Sequence, residues 1–211
     1  MSTALECLMA THNINNRKDI LLLLLYSSGA AGKINEPVIG RTRLIKLLFL
    51  FKKEALPHFK RGTDVNDENF YNFFAWNFGP FSAEIYDDIT FFTLRGFVAS
   101  KTTTDEILPE EMEEWDNYLQ VSGVGDFSVS SGEDYLPSDQ EYLSEEFYLT
   151  EKGKNYVEKN LWGCLSDTQK ELLTKFKSKL CSIPLRTLLR YVYTTYEDMT
   201  TKSKIKGEIL D

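Results

Sequence analysis

One uninterrupted run, ILLLLLY at residues 20–26, constrains this chain more than any other feature. Preceded by RKD and followed by SSGAAGK, it predicts a helix from Arg17 that is apolar on nearly every side. Such a helix has no face for water and must be central to a core. Crossing a bilayer takes roughly 20 apolar residues, so the run is too short for a membrane span. The material to enclose it is present: of 211 residues, 42% are hydrophobic and 13% aromatic. That excludes a disordered chain and fits one large domain, or a domain with an appended lobe.

A second helix is predicted from Thr42 to Leu56, where Leu44, Leu47, Leu48 and Phe51 recur at helical spacing and Pro57 ends the pattern. In this reading Lys46, Lys52 and Lys53 occupy its outer surface. The aromatic stretch FYNFFAWNF then predicts a strand. Gly79 and Pro80 follow as a joint that ends the sheet pairing, and Ser82 caps a helix with Ile85, Ile89 and Phe92 on its buried face. FVAS and EEFYLT read as two strands of a small wing, with Thr150 capping the next helix. Ser166 and Gln169 form a capping box, Ser182 and Pro184 open another helix, and Ser203 caps a last short one. The expected class is mainly α (α+β): a winged-helix-like helical domain with a small β wing and a C-terminal helical segment. Its expected limits are a flexible N-terminus over 1–16, the winged-helix-like domain over 17–162, and helices over 163–211 that pack on it.

Charge is unevenly placed. The net charge is −8, yet residues 102–147, lying between the wing strands, carry fourteen acids and no Lys or Arg. Residues 33–62 carry eight Lys or Arg against two acids, and residues 150–206 carry twelve against six. An acidic insertion in the wing, with VSGVGDFSVSSGED as a mobile loop, is therefore expected between basic flanks. Within it, Glu110, Glu111, Glu113, Glu114 and Trp115 are candidate partner-binding residues, because a dense acidic surface complements a basic protein. Arg41, Thr42, Arg43, Lys46, Lys52 and Lys53 are the alternative: a basic helix face toward nucleic-acid phosphates.

Catalytic patterns are missing from the sequence. SSGAAGK lacks the spacing of a phosphate loop, and Ile34 stands where that loop has Ser or Thr. No Lys has Asp or Glu two positions before it, as restriction-type nucleases require. Cys7, Cys164 and Cys181 with His12 and His58 form no zinc pattern. The sequence therefore points to no enzyme, metal or cofactor. The three cysteines read as thiols of a reducing cytosol, and the start reads as no signal peptide, which makes the expected location cytoplasmic.

Three segments in order, GRTRLIKLLFLFKKE (40–54), FGPFSAEIYDDITFFTLRGFV (78–98) and YLTEKGKNYV (148–157), resemble the bacterial YwgA-like proteins. More distantly they resemble the Panacea-domain antitoxins of the SocA type. LRYVYTTYEDMTTKSKI (189–205) fits the tail of such proteins, and the likeness covers about half the chain. The motif residues are Gly79, Pro80, Phe81, Ser82, Ile85 and Tyr86, with a structural role. The resemblance implies no catalytic residue. It implies a protein-interaction module, antitoxin-like or associated with phage defence, whose partner is a toxin, nuclease or ATPase component of the same operon. The alternative function is a winged-helix DNA-binding regulator.

Overall fold

The apolar run is enclosed by helices and a sheet strand. The computed structural model describes residues 14–103 and 144–210. Helix α1 (Arg17–Tyr26) starts at Asn16, whose side chain accepts from the backbone N–H groups of Lys18 and Asp19, and all of Ile20–Tyr26 is buried. Next come β1 (Val38–Ile39), α2 (Arg41–Leu50), a π-helical turn (Phe51–Ala55) and α3 (Leu56–Phe59). A hairpin of β2 (Phe74–Trp76) and β3 (Gly79–Phe81) leads to α4 (Glu84–Leu94) and β4 (Val98–Thr103). After β5 (Ser144–Leu149), α5 (Glu151–Asn160), α6 (Asp167–Ser182), α7 (Leu185–Thr195) and α8 (Lys206–Leu210) complete a mainly helical fold. Short 3₁₀ turns at Trp162–Cys164 and Glu197–Thr200 separate these last helices.

The sheets are small and antiparallel. One has the order β1-β5-β4; the other is the β2–β3 hairpin. In the first, Val98 to Thr103 face Leu149 to Ser144 in unbroken register. This corrects the limits expected for the acidic insertion, since 102–103 and 144–147 belong to the ladder. Lys101 opposite Glu146 favours that longer pairing. Of the expected flexible stretch 1–16, residues 1–13 lie outside the described residues, and Ile14 has defined partners. Ile14 is buried and its carbonyl accepts from Asp64 N–H at 2.9 Å.

Two local expectations change. Pro57 does not end its helix. The preceding turn widens to π geometry, with Leu56 N–H donating to the Phe51 carbonyl, and the chain continues helically through Phe59. A wider turn relieves the clash between a proline ring and the carbonyl four residues back. Nor do Gly79 and Pro80 end the pairing. Gly79 faces Trp76 and Pro80 faces Ala75 inside the hairpin. Both strands of a two-stranded sheet are edges, where a residue without an N–H is tolerated. Ser82 does not cap α4: it is buried, and its hydroxyl lies 3.4 Å from Glu84 Oε2.

Gly79 has a packing reason instead. Its φ is +85°, and an added Cβ would sit 3.0 Å from the Tyr193 ring. Tyr193 and Ser203 hydroxyls are 2.7 Å apart, and Ser203 Oγ and Lys204 N–H both donate to the Asn77 carbonyl at 3.3 and 2.9 Å. The hairpin is thus seated on the C-terminal tail.

Candidate functional site

The outer side of α4 and the adjoining β1-β5-β4 sheet form a concave surface. A groove of about 210 Å³ is lined by Arg41, Tyr86, Ile89, Thr90, Leu94 and Glu145, among others. Four elements supply it: α2, α4, β4 and β5. Arg41 is the first residue of α2, placed against the sheet because Gly40 N–H donates to the Glu145 carbonyl at 2.9 Å. Its guanidinium is ion-paired with Glu145 and lies between two rings, 5.3 Å from the centre of Tyr86 and 5.5 Å from that of Phe147. At the rim, Leu94 is 81% exposed.

The charge on α4 is acidic. Glu84, Asp87 and Asp88 have no Lys or Arg beside them on the helix. Arg17 from α1 donates to Glu84 at 2.6 Å and to Asp88 at 2.8 Å, and Lys18 lies 3.5 Å from Asp88. The Asp88 carboxylate is only 3% exposed, so this cluster ties α1 to α4. Beside it the Tyr71 hydroxyl is buried; burial first, and then the Asp88 charge, push its phenol well above the ordinary value.

The basic set expected on α2 does not form a common face. Thr42 and Lys46 are fully buried, and Lys46 Nζ donates to the Pro80 carbonyl at 3.2 Å. Arg43 donates to the carbonyls of Leu180 and Ile183 at 2.6 and 2.9 Å. Lys52 donates to the Tyr71 carbonyl at 3.0 Å, and burial lowers its pKa. Of the six, Lys53 alone is fully on the surface, with its ammonium 5.9 Å from the centre of the Phe49 ring. These cations hold the α2 helix to its neighbours. The acidic candidates Glu110, Glu111, Glu113, Glu114 and Trp115 lie outside the described residues.

The motif residues fall into two groups. Gly79, Pro80, Phe81 and Ser82 are buried in the hairpin and its exit; Ile85 and Tyr86 are buried on α4, with Tyr86 lining the groove. Sequence reasoning missed Glu145, Leu94 and Tyr191. Glu145 stands among acids read as an insertion between the strands, and only strand register brings it to Arg41.

Among the described residues no group of three or more His, Cys, Asp or Glu is placed to hold a metal ion. No helix of the described residues is long and apolar enough to cross a membrane. Compared with protein-family models, curated proteins and solved structures, the chain matches none of them.

Proposed function

We propose that the chain is a winged-helix-like, non-enzymatic protein-interaction module. It acts as an antitoxin-like or phage-defence-associated accessory subunit that binds a partner protein. The observation that carries this reading is the chemistry of α4. In winged-helix order this helix occupies the reading position, and it carries no cation: Glu84 and Asp88 are paired with Arg17, and Asp87 and Leu94 are the groups it exposes. Nucleic-acid binding depends on Lys and Arg that reach phosphates. The α2 cations are largely occupied by backbone carbonyls or by Glu145. A cation-free helix with an exposed carboxylate and an exposed leucine suits a protein surface better than a phosphate backbone.

The resemblance to YwgA-like and Panacea-domain proteins supports the same class. Its first three segments meet around one sheet, where the 40–54 segment enters beside Glu145 and the 78–98 segment supplies α4 and part of β4. A DNA-binding regulator is the second reading, favoured by the chain order α1, β1, α2, α4, β4, β5, with the three strands in one sheet.

One pair of assays on the full chain separates them. A partner co-purified from the native host should dissociate as salt rises. Reversal of Glu110, Glu111, Glu113 and Glu114 to Lys should slow its association. A labelled DNA duplex should not bind at physiological salt. Micromolar or tighter duplex binding that is lost in Arg41→Ala and Lys53→Ala would overturn the interaction reading.

A further inference from the structure

Glu54 stands on the π-helical turn, exposed, and faces α7. Two hydroxyls donate to the same carboxylate oxygen: Tyr191 Oη at 2.8 Å and Tyr196 Oη at 3.0 Å from Oε1. Tyr191 is 42% exposed, and the Tyr196 ring is braced edge-on against Phe49 at 5.0 Å. Among the described residues Glu54 Oε2 accepts no hydrogen bond, and the neighbouring Lys53 is directed over Phe49. The result is an oriented carboxylate at the surface, with one oxygen saturated and the other open.

That asymmetry has chemical content. A carboxylate oxygen offers two lone pairs, so two phenols fill Oε1. A guanidinium fork engages both oxygens of a carboxylate and would have to displace a tyrosine. A compact ammonium needs only the free oxygen. We propose that Glu54, Tyr191 and Tyr196 form a docking point for a lysine ammonium on a partner protein. Both phenols are pushed above their ordinary pKa, Tyr191 chiefly by its bond to Glu54 and Tyr196 chiefly by burial, so they stay protonated donors at neutral pH. The point lies on α7 and the π turn, apart from the α4 groove, and its use by a protein rests on the interaction reading above.

The test titrates labelled protein with Nα-acetyl-lysine amide, Nα-acetyl-arginine amide and the Nε-acetylated lysine compound at low ionic strength. Chemical shifts of Glu54 and the two tyrosine rings report binding. The lysine compound should bind more tightly than the arginine compound, and the neutral one should produce no shift. Glu54→Gln should weaken lysine binding roughly tenfold or more, as expected for loss of a charge-assisted bond. Tyr196→Phe should narrow the preference over arginine by freeing Oε1. Unchanged melting temperatures establish that the variants are folded. Equal or tighter arginine binding, or lysine binding unaffected by Glu54→Gln, would overturn the proposal. So would absence of any shift with wild type; if a salt-sensitive partner complex then persists, the docking point fails alone and the interaction reading stands.

Discussion

Lys177 shows how a single side chain ties distant parts of the chain together. It is fully buried on α6, and its ammonium donates to the carbonyls of Leu25 and Ser27 at 2.8 Å and of Glu36 at 2.6 Å. The first two are at the C-terminal end of α1, where a cation is favoured by the helix dipole. Burial lowers its pKa to about 8 from 10.5, while Cys181 and Glu36 act in the opposite direction. Between those values the unfolded chain binds more protons than the folded one, so this group makes stability rise with pH. Lys177→Met should therefore flatten the rise, measured as urea midpoints of both proteins at about pH 7.5 and about pH 10. It should also cost ~1–3 kcal/mol by leaving the carbonyls without their donor. Gly153 is the opposite kind of residue, defined by what it lacks. A Cβ there would overlap the Phe97 carbonyl oxygen, so Gly153→Ala should lower stability by ~1–3 kcal/mol in the same assay.

Among the elements, the caps at Thr150 and Ser166 were legible because they are local, whereas Ser82 caps nothing and Ser182, expected to open the next helix, ends α6. Thr150 accepts from Gly153 N–H, and Ser166 and Gln169 make the reciprocal capping box expected of them. Thr150→Ala should cost about 1 kcal/mol by denaturant unfolding. The buried stripe of α4 was legible for the same reason, since Ile85, Ile89 and Phe92 are all buried. They are not equivalent. Ile85 is 1% exposed, whereas Ile89 is 8% exposed and borders the groove. Ile85→Ala should cost ~2–5 kcal/mol and Ile89→Ala less, since an opening to solvent relieves the cavity left behind. Features decided by distant partners could not be read. Lys46 resembles a surface lysine until the Pro80 carbonyl is seen opposite it. Glu54 and Tyr196 are 142 residues apart in sequence and share a hydrogen bond. The hairpin was missed because Pro80 reads as a breaker, and a proline on an edge strand carries no local mark.

At the scale of the whole molecule, charge and topology separate cleanly. Residues 104–143 hold twelve acids and no Lys or Arg, so of the net −8 the remainder of the chain carries −8 − (−12) = +4. Thr103 and Ser144, the residues on either side, face each other across the ladder. An Asn-Gly turn could close that pair directly. Replacing 104–143 by Asn-Gly should leave a cooperatively melting protein of positive net charge, with a melting temperature no lower than the parent. A long loop costs roughly 2–3 kcal/mol more to close than a short one. Loss of the cooperative transition would show that the fold depends on the segment. The same facing pair also sets how mechanical load enters the protein. A pull on the chain through 104–143 meets the β4–β5 ladder at its open end, and so peels it pair by pair instead of shearing all pairs together. Thr103–Ser144 is the first to part and Thr102–Glu145 the second, which puts the Arg41 tether under tension before any core residue is disturbed.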